Sequence, residues 1–304
     1  MSKSLKERTI SGIAWNAIQQ FGTKFIALIA NLVLARLLSP DDFGCIGMLI
    51  VFISIANTFI DGGFGIAIIQ KSNPTQKDYS TIFFWNLILS ILLYCVLFMS
   101  SPMIARFYNI PQLEYVLQVQ GWLLILNAFY IIPMNQFVKQ MKFKLLAYIY
   151  IISYSSSAVV SIILAYHGYG VWSLVVNNLL AYVLLISCLW FFNKWRPSLI
   201  FSWKSFKEMF SFGSMLLLSN LTNTIYLNIQ SLIIGKFYSA RDLGFFTQAK
   251  KMEEVPVQTL SVVIQQVTIP VFSEIQNDKE KIKKGLKIMR TFTLNTKKYH
   301  KYVK

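Results

Sequence analysis

The sequence predicts an all-α polytopic membrane protein: a six-helix first lobe, then the first two helices of a second lobe that repeats it in parallel. Three observations carry this. Hydrophobic residues make up 55% of the chain and charged residues only 14%, which is more apolar surface than one soluble core hides. The apolar residues fall in runs of about 20, the length that crosses the hydrocarbon of a bilayer. Finally, the stretch LARLLSPDDFG at residues 34–44 returns as IGKFYSARDLG at 234–244, with Arg36 answered by Lys236, and Ser39, Asp42 and Gly44 by Ser239, Asp242 and Gly244. The matching segments lie an even number of crossings apart, so the two copies share one orientation and the repeat is parallel.

Charged and Pro/Gly clusters bound the elements. Eight spans follow in order, at residues 12–38, 43–60, 82–107, 116–138, 145–167, 171–192, 212–237 and 243–271. The links at 39–42, 71–79, 109–114, 139–144 and 168–170 are short, which makes neighbouring helices antiparallel. Residues 193–207, rich in Trp, Lys and Pro, read as the connection between two halves. The expected domains are a six-helix lobe at 1–198, the opening two helices of an incomplete second lobe at 199–276, and a basic polar tail at 277–304. A complete second copy needs roughly four further helices, so the expectation is a full first lobe with the opening third of a second, apparently truncated at its C-terminal end.

Charge sets the orientation. Lys3, Lys6 and Arg8, then Lys71 and Lys77, then Lys139, Lys142 and Lys144, then Lys194, Arg196, Lys204 and Lys207 fall on one side. Basic loops stay cytoplasmic, so the amino terminus is expected on the cytoplasmic side of the membrane. The net charge of +16 forms no separate basic domain with interleaved aromatics, which argues against nucleic-acid binding. Cys45, Cys95 and Cys188 lie singly within apolar runs, without metal-ligand spacing or a paired framework. No phosphate-cradling loop, nucleophile elbow or paired-carboxylate motif is present, so neither an enzyme, a cofactor nor a metal is expected.

At this point the chain resembles a family, the Wzx-like polysaccharide flippases of the multidrug/oligosaccharidyl-lipid/polysaccharide exporter superfamily. The likeness rests on the order and spacing of ARLLSPDDFG at 35–44, PMIARFY at 102–108, KQMKFK at 139–144, GYGVWSL at 168–174, WRP at 195–197, FSFG at 210–213, IGK at 234–236 and PVFS at 270–273. It implies a carrier of two six-helix lobes that moves undecaprenyl-diphosphate-linked sugar units outward by alternating access. The lipid bilayer, the lipid-linked oligosaccharide and other polysaccharide assembly proteins are the partners it implies. Family members commonly carry a carboxylate shortly before the IGK motif; here that place holds Asn228-Ile229-Gln230. The alternatives are a proton- or sodium-coupled small-molecule exporter of the same superfamily and a non-transporting fragment.

Polar residues at membrane depth are costly and therefore mark candidate sites. On the first span Asn16, Gln20, Lys24 and Asn31 share one stripe, and an ammonium in low dielectric favours an anion such as a diphosphate or an acidic sugar. Lys24 reads either so, or as a side chain that snorkels or pairs with a structural partner such as Asp61. On the second span Ser54, Asn57, Thr58 and Asp61 share a face, with Asp61 placed at the cytoplasmic end. Asn86 on the third span and Asn127 on the fourth complete the candidate cavity, expected between the lobes. These side chains offer what sugar hydroxyls need, and equally what interhelical hydrogen bonds need. Ser153, Ser157, Ser161 and Ala165 form a small-residue seam that reads as packing, and Lys250, Lys251, Glu253 and Glu254 read as an ion-paired patch.

Overall fold

The structure is a computed structural model that describes residues 5–71 and 73–253. The chain divides into two units, Met1–Glu253 and Glu254–Lys304, and the second lies outside the described residues. With it go most of the expected eighth span, Pro256, Pro270 and the basic tail.

The described chain is helical and contains no strand. Its helices are α1 (Leu5–Leu37), α2 (Pro40–Asp61), α3 (Phe64–Gln70), α4 (Gln76–Tyr108), α5 (Gln112–Gln120), α6 (Trp122–Lys139), α7 (Phe143–Tyr166), α8 (Val171–Phe192) and α9 (Trp203–Phe237), followed by α10, described over residues 240–253. Six stretches are long and apolar enough to cross a membrane: Ser11–Leu37, Pro40–Gln70, Gln76–Tyr108, Gln112–Lys139, Phe143–Tyr166 and Val171–Phe192. These are the six helices expected of the first lobe. The seventh is present as α9, which starts nearer the linker than expected, but Asn220, Asn223, Asn228 and Gln230 dilute its apolar character, and it is not among the six.

The repeated sequence is a repeated capping box. Ser39 is extended, and its hydroxyl accepts from the Asp42 N–H at 3.2 Å while Asp42 Oδ2 accepts from the Ser39 N–H at 3.0 Å. With Pro40 in the first turn, this starts α2 directly after the α1 terminus instead of after a longer loop. Ser239 and Asp242 make the same pair of bonds, each at 3.1 Å, at the start of α10. The two boxes also meet. A β-carbon on Gly44 would lie 1.8 Å from the Ala240 carbonyl oxygen, and one on Gly244 would lie 1.9 Å from the Pro40 carbonyl oxygen. The contact is reciprocal, so the sequence repeat appears in space as an approximate two-fold crossing of backbones that only glycine permits.

From that crossing α9 runs antiparallel along α2. Gly235 opposes Met48, the Thr58 and Thr224 hydroxyls share a hydrogen bond of 3.0 Å, and a β-carbon on Gly213 would meet the Gly62 carbonyl oxygen at 2.6 Å. Gly62 and Gly63 adopt φ of 50° and 73°, which ends α2 and admits the short α3. The second span therefore runs on past residue 60 to Gln70, and Asp61 lies about two helical turns inside it, not at its end. The fourth span is likewise two helices, joined at Gly121 beside the Tyr94 ring. Pro102 and Pro133 stand inside α4 and α6.

The main core gathers around α2. Leu49, Ile60, Ile68, Ile82, Leu124 and Ile132 are fully buried there. The α7 seam is packing: Ser153, Ser157, Ser161 and Ala165 are all buried, and Ser161 donates to the Ser173 carbonyl of α8 at 2.8 Å. The link between halves is tied down. Asn193 donates to Gln136 Oε1 at 2.6 Å, the Trp195 indole to Gln76 Oε1 at 2.5 Å, and the Ser202 N–H to Thr81 Oγ1 at 3.0 Å. Nearby, Lys71 bridges Asp78 and Glu208 at 3.1 Å each, joining the loop after α3 to α4 and α9.

Two outcomes follow from these contacts. Gly44→Val and Gly244→Val each force the crossing apart, a cost of about 1–3 kcal/mol by overpacking, and thermal unfolding in detergent registers it. Gly168→Ala, with open space around a φ of 83°, loses about 1–2 kcal/mol from the left-handed backbone alone. The second outcome concerns pH. Burial alone would lower the Lys71 pKa, but hydrogen bonds and charge from Glu208 and Asp78 outweigh it and hold the ammonium above its ordinary value. A raised folded-state pKa stabilises fully below the unfolded-state value and ceases to as pH climbs through the folded one. Lys71→Met therefore melts earlier than the parent at neutral pH, and the gap narrows above about pH 10.4.

Candidate functional site

Helix periodicity places Asn16, Gln20 and Lys24 on one side of α1, and there they line a cavity of about 440 Å³. Gln19, Thr23 and Ala27 extend that wall, Tyr130 and Met134 of α6 form the second, and Tyr150 and Tyr154 of α7 the third. Among the described residues the lining comes from α1, α6 and α7 of the first six-helix lobe, with none from α9 or α10. The reason is the packing of α1 on α7: Gly12 sits against the Phe143 ring and Gly22 against Ile151, and the polar stripe turns toward the tyrosines.

Those tyrosines were not among the residues that the sequence singled out. The Tyr130 and Tyr150 hydroxyls hydrogen-bond each other, and the Tyr150 hydroxyl also donates to Met134 Sδ at 3.6 Å. The Tyr150 and Tyr154 rings stack at 6.1 Å with planes 5° apart, and Tyr182 of α8 packs against Tyr130 at 5.9 Å. The available signal was the i, i+4 spacing of Tyr150 and Tyr154 beside the serine seam.

The other five candidate residues are elsewhere. Asn31 donates to Gln248 Oε1 of α10 at 2.5 Å and accepts from Lys251 at 3.4 Å, so it belongs to the α1–α10 contact. Asn57 accepts from Asn127 at 3.0 Å, pairing α2 with α6. Asn86 is fully buried, and neither atom of its amide has a hydrogen-bond partner among the described residues. Asp61 stands at the α2–α3 break: its Oδ1 lies 3.3 Å, and Asn135 Nδ2 2.8 Å, from where Gly65 would carry a β-carbon.

A second recess of about 420 Å³ lies where Ser11, Gly12 and Trp15 meet the loop between α6 and α7. Lys144 lies 5.4 Å from the Trp15 ring centroid and Lys142 5.6 Å from that of Phe137. Lys139 is structural, because its ammonium donates to the carbonyls of Ile68, Ile69 and Lys71 and so closes the C-terminus of α3. Lys250 donates to the Leu227 carbonyl of α9 at 2.7 Å, so the patch on α10 ties helices together; Glu254 lies outside the described residues.

Helices of this number, length and apolarity define a multi-pass helical membrane protein. The same architecture occurs in the MATE multidrug transporter DinF-BH, with a TM-score of 0.56 and 12% identity over 96% of this chain and 72% of that one. The family described as Polysaccharide biosynthesis protein matches residues 33–294, and the chain belongs to it. It is 27% identical to the teichuronic acid biosynthesis protein TuaB of Bacillus subtilis, over 93% of this chain and 59% of TuaB. It is 23% identical to the succinoglycan biosynthesis transport protein ExoT of Rhizobium meliloti, over 96% and 60%. Likeness to the lipopolysaccharide biosynthesis protein WzxC of Escherichia coli is 28%, over 92% and 57%. The chain thus spans somewhat under two thirds of the curated relatives it matches.

The Asn57–Asn127 bond gives a measurable coupling. In a double-mutant cycle of Asn57→Ala and Asn127→Ala, unfolding in detergent shows a coupling of about 0.6 kcal/mol, the usual size for such a bond in a membrane protein. Strict additivity would mean that the two amides do not meet.

Proposed function

We propose that this chain supplies a first lobe, residues 1–198, and the first two helices of a second, residues 199–276, of a carrier that moves undecaprenyl-diphosphate-linked oligosaccharide units outward across the bacterial plasma membrane for surface polysaccharide assembly. The observation that carries the reading is the cavity of α1, α6 and α7, where an ammonium, three amides and a stacked tyrosine pair converge within an apolar bundle. Lys24 attracts an anionic group, the phosphate or an acidic sugar, by a Coulomb interaction that low dielectric strengthens. Asn16, Gln19 and Gln20 exchange hydrogen bonds with hydroxyls, and tyrosine rings present flat apolar faces with a polar edge to sugar rings. The polyprenyl tail stays in lipid. Bonds are neither made nor broken, so this is transport and not enzymatic catalysis.

The names of TuaB, ExoT and WzxC, all polysaccharide biosynthesis proteins, support the substrate class. Basic loops support a cytoplasmic amino terminus, and the parallel repeat supports alternating access, one lobe rocking against the other. The fold likeness to a multidrug transporter favours a second reading, a small-molecule exporter.

Binding separates the two. The purified chain in lipid nanodiscs binds an undecaprenyl-diphosphate-linked sugar, and Lys24→Ala weakens it about tenfold or more, the loss of one charge-assisted hydrogen bond. Lys24→Arg keeps part of the affinity, and Tyr154→Ala also weakens binding. An amphipathic organic cation that binds in place of the lipid-linked sugar, with affinity unchanged by Lys24→Ala, would establish the exporter reading.

A further inference from the structure

The break between α2 and α3 holds a carboxylate inside an apolar span. Asp61 is the last residue of α2, and α3 opens at Phe64, so the negative end of one helix dipole and the positive end of the next both lie beside it and offset each other. No basic residue stands in the last turn of α2, and the ion pairs among the described residues join Lys71 to Asp78 and Glu208, not to Asp61. The residue is half-buried inside the apolar span Pro40–Gln70, where an ionised side chain is costly.

The surroundings are built around it. The missing β-carbon of Gly65 leaves a cradle with Asp61 Oδ1 on one side and the Asn135 amide of α6 on the other. Across the break lies the backbone of α9: a β-carbon on Gly63 would sit 2.8 Å from the Gly213 carbonyl oxygen, and one on Gly213 would sit 2.6 Å from that of Gly62. The first helix of the second repeat therefore rests on the two left-handed glycines that create the break. Charged and titratable groups on the packed elements are engaged elsewhere. Lys139 of α6 caps α3, and Tyr130 bonds Tyr150. Lys71 holds Asp78 of α4 and Glu208 of α9, and α9 carries no charged residue between Glu208 and Lys236.

We propose that Asp61 is a proton-binding site whose carboxyl takes up one proton from water while α9 rests on the α2–α3 break and returns it to water when α9 withdraws. One carboxylate and one amide suit a proton better than a metal ion, which needs several anionic or carbonyl ligands; among the described residues no cluster of three His, Cys, Asp or Glu side chains occurs. This goes beyond the carrier reading, and its readout needs no transport, so the two stand or fall separately.

Infrared titration of the purified 304-residue chain in nanodiscs, from about pH 5 to pH 9 around the physiological window, decides it. The parent shows the carbonyl stretch of a protonated carboxyl at neutral pH, lost on alkaline titration. Asp61→Asn imitates the neutral acid, keeps the melting temperature and lacks the band at every pH, while Asp61→Glu retains a titrating band. A parent without such a band at neutral pH, or a band that Asp61→Asn leaves intact, overturns the proposal. Gly213→Ala pushes α9 off Gly62, admits water and moves the midpoint down by about one pH unit, tenfold in proton affinity; an unmoved midpoint removes α9 from the proposal. Replacing choline chloride by sodium chloride leaves the titration unchanged, and a band that falls as sodium rises makes the cradle a sodium site and overturns the proton assignment.

Discussion

The approach of two backbones at Gly44 and Gly244 is the constraint on which the rest of the structure depends. Each glycine faces the carbonyl of a residue in the other repeat, Ala240 or Pro40, at a distance that no side chain survives. The helices that start there, α2 and α10, are thereby set against each other at their capped ends. Because α9 leads directly into α10, it is laid antiparallel along α2 as far as Gly213. The central position of α2 in the core follows, with α4 and α6 packed on its remaining faces.

Within a bilayer a polar side chain needs a partner inside the protein, and the chain meets that need in two ways. Asn57 with Asn127, Thr58 with Thr224 and Asn31 with Gln248 are pairs that knit helices together. Lysines serve the backbone: Lys139 closes the C-terminus of α3, and Lys236 donates at 2.6 Å to the Phe107 carbonyl in the last turn of α4, where a cation complements the helix dipole. The buried Asn86 amide meets that need in neither way among the described residues; outside these pairs and caps also stand the α1 stripe facing its tyrosines and the acid at the α2–α3 break.

Helix α6 stands between these two places. Tyr130 and Met134 line the cavity, whereas Asn127 and Asn135 face α2 and the break. Pro133 lies between them inside the helix and removes one backbone hydrogen bond.

The sequence by itself determined the class of protein, the six spanning helices, the internal repeat and the stripe Asn16, Gln20 and Lys24, because length, apolarity and helical period are properties of neighbouring residues. It also exposed Ser39, Asp42 and Gly44 as a unit, since a capping box is a local motif. Only the tertiary structure decided what each polar residue faces. Asn31 and Asn57 lie on the correct stripes, yet they meet Gln248 and Asn127, partners far along the chain. Tyr130, Tyr150 and Tyr154 come from two helices, and no single-helix pattern shows that they converge on one cavity. The position of Asp61 turned on whether the helix stops at Gly62-Gly63 or resumes, and it resumes as α3 with the α9 backbone packed over the two glycines, a contact between residues about 150 positions apart that periodicity does not register.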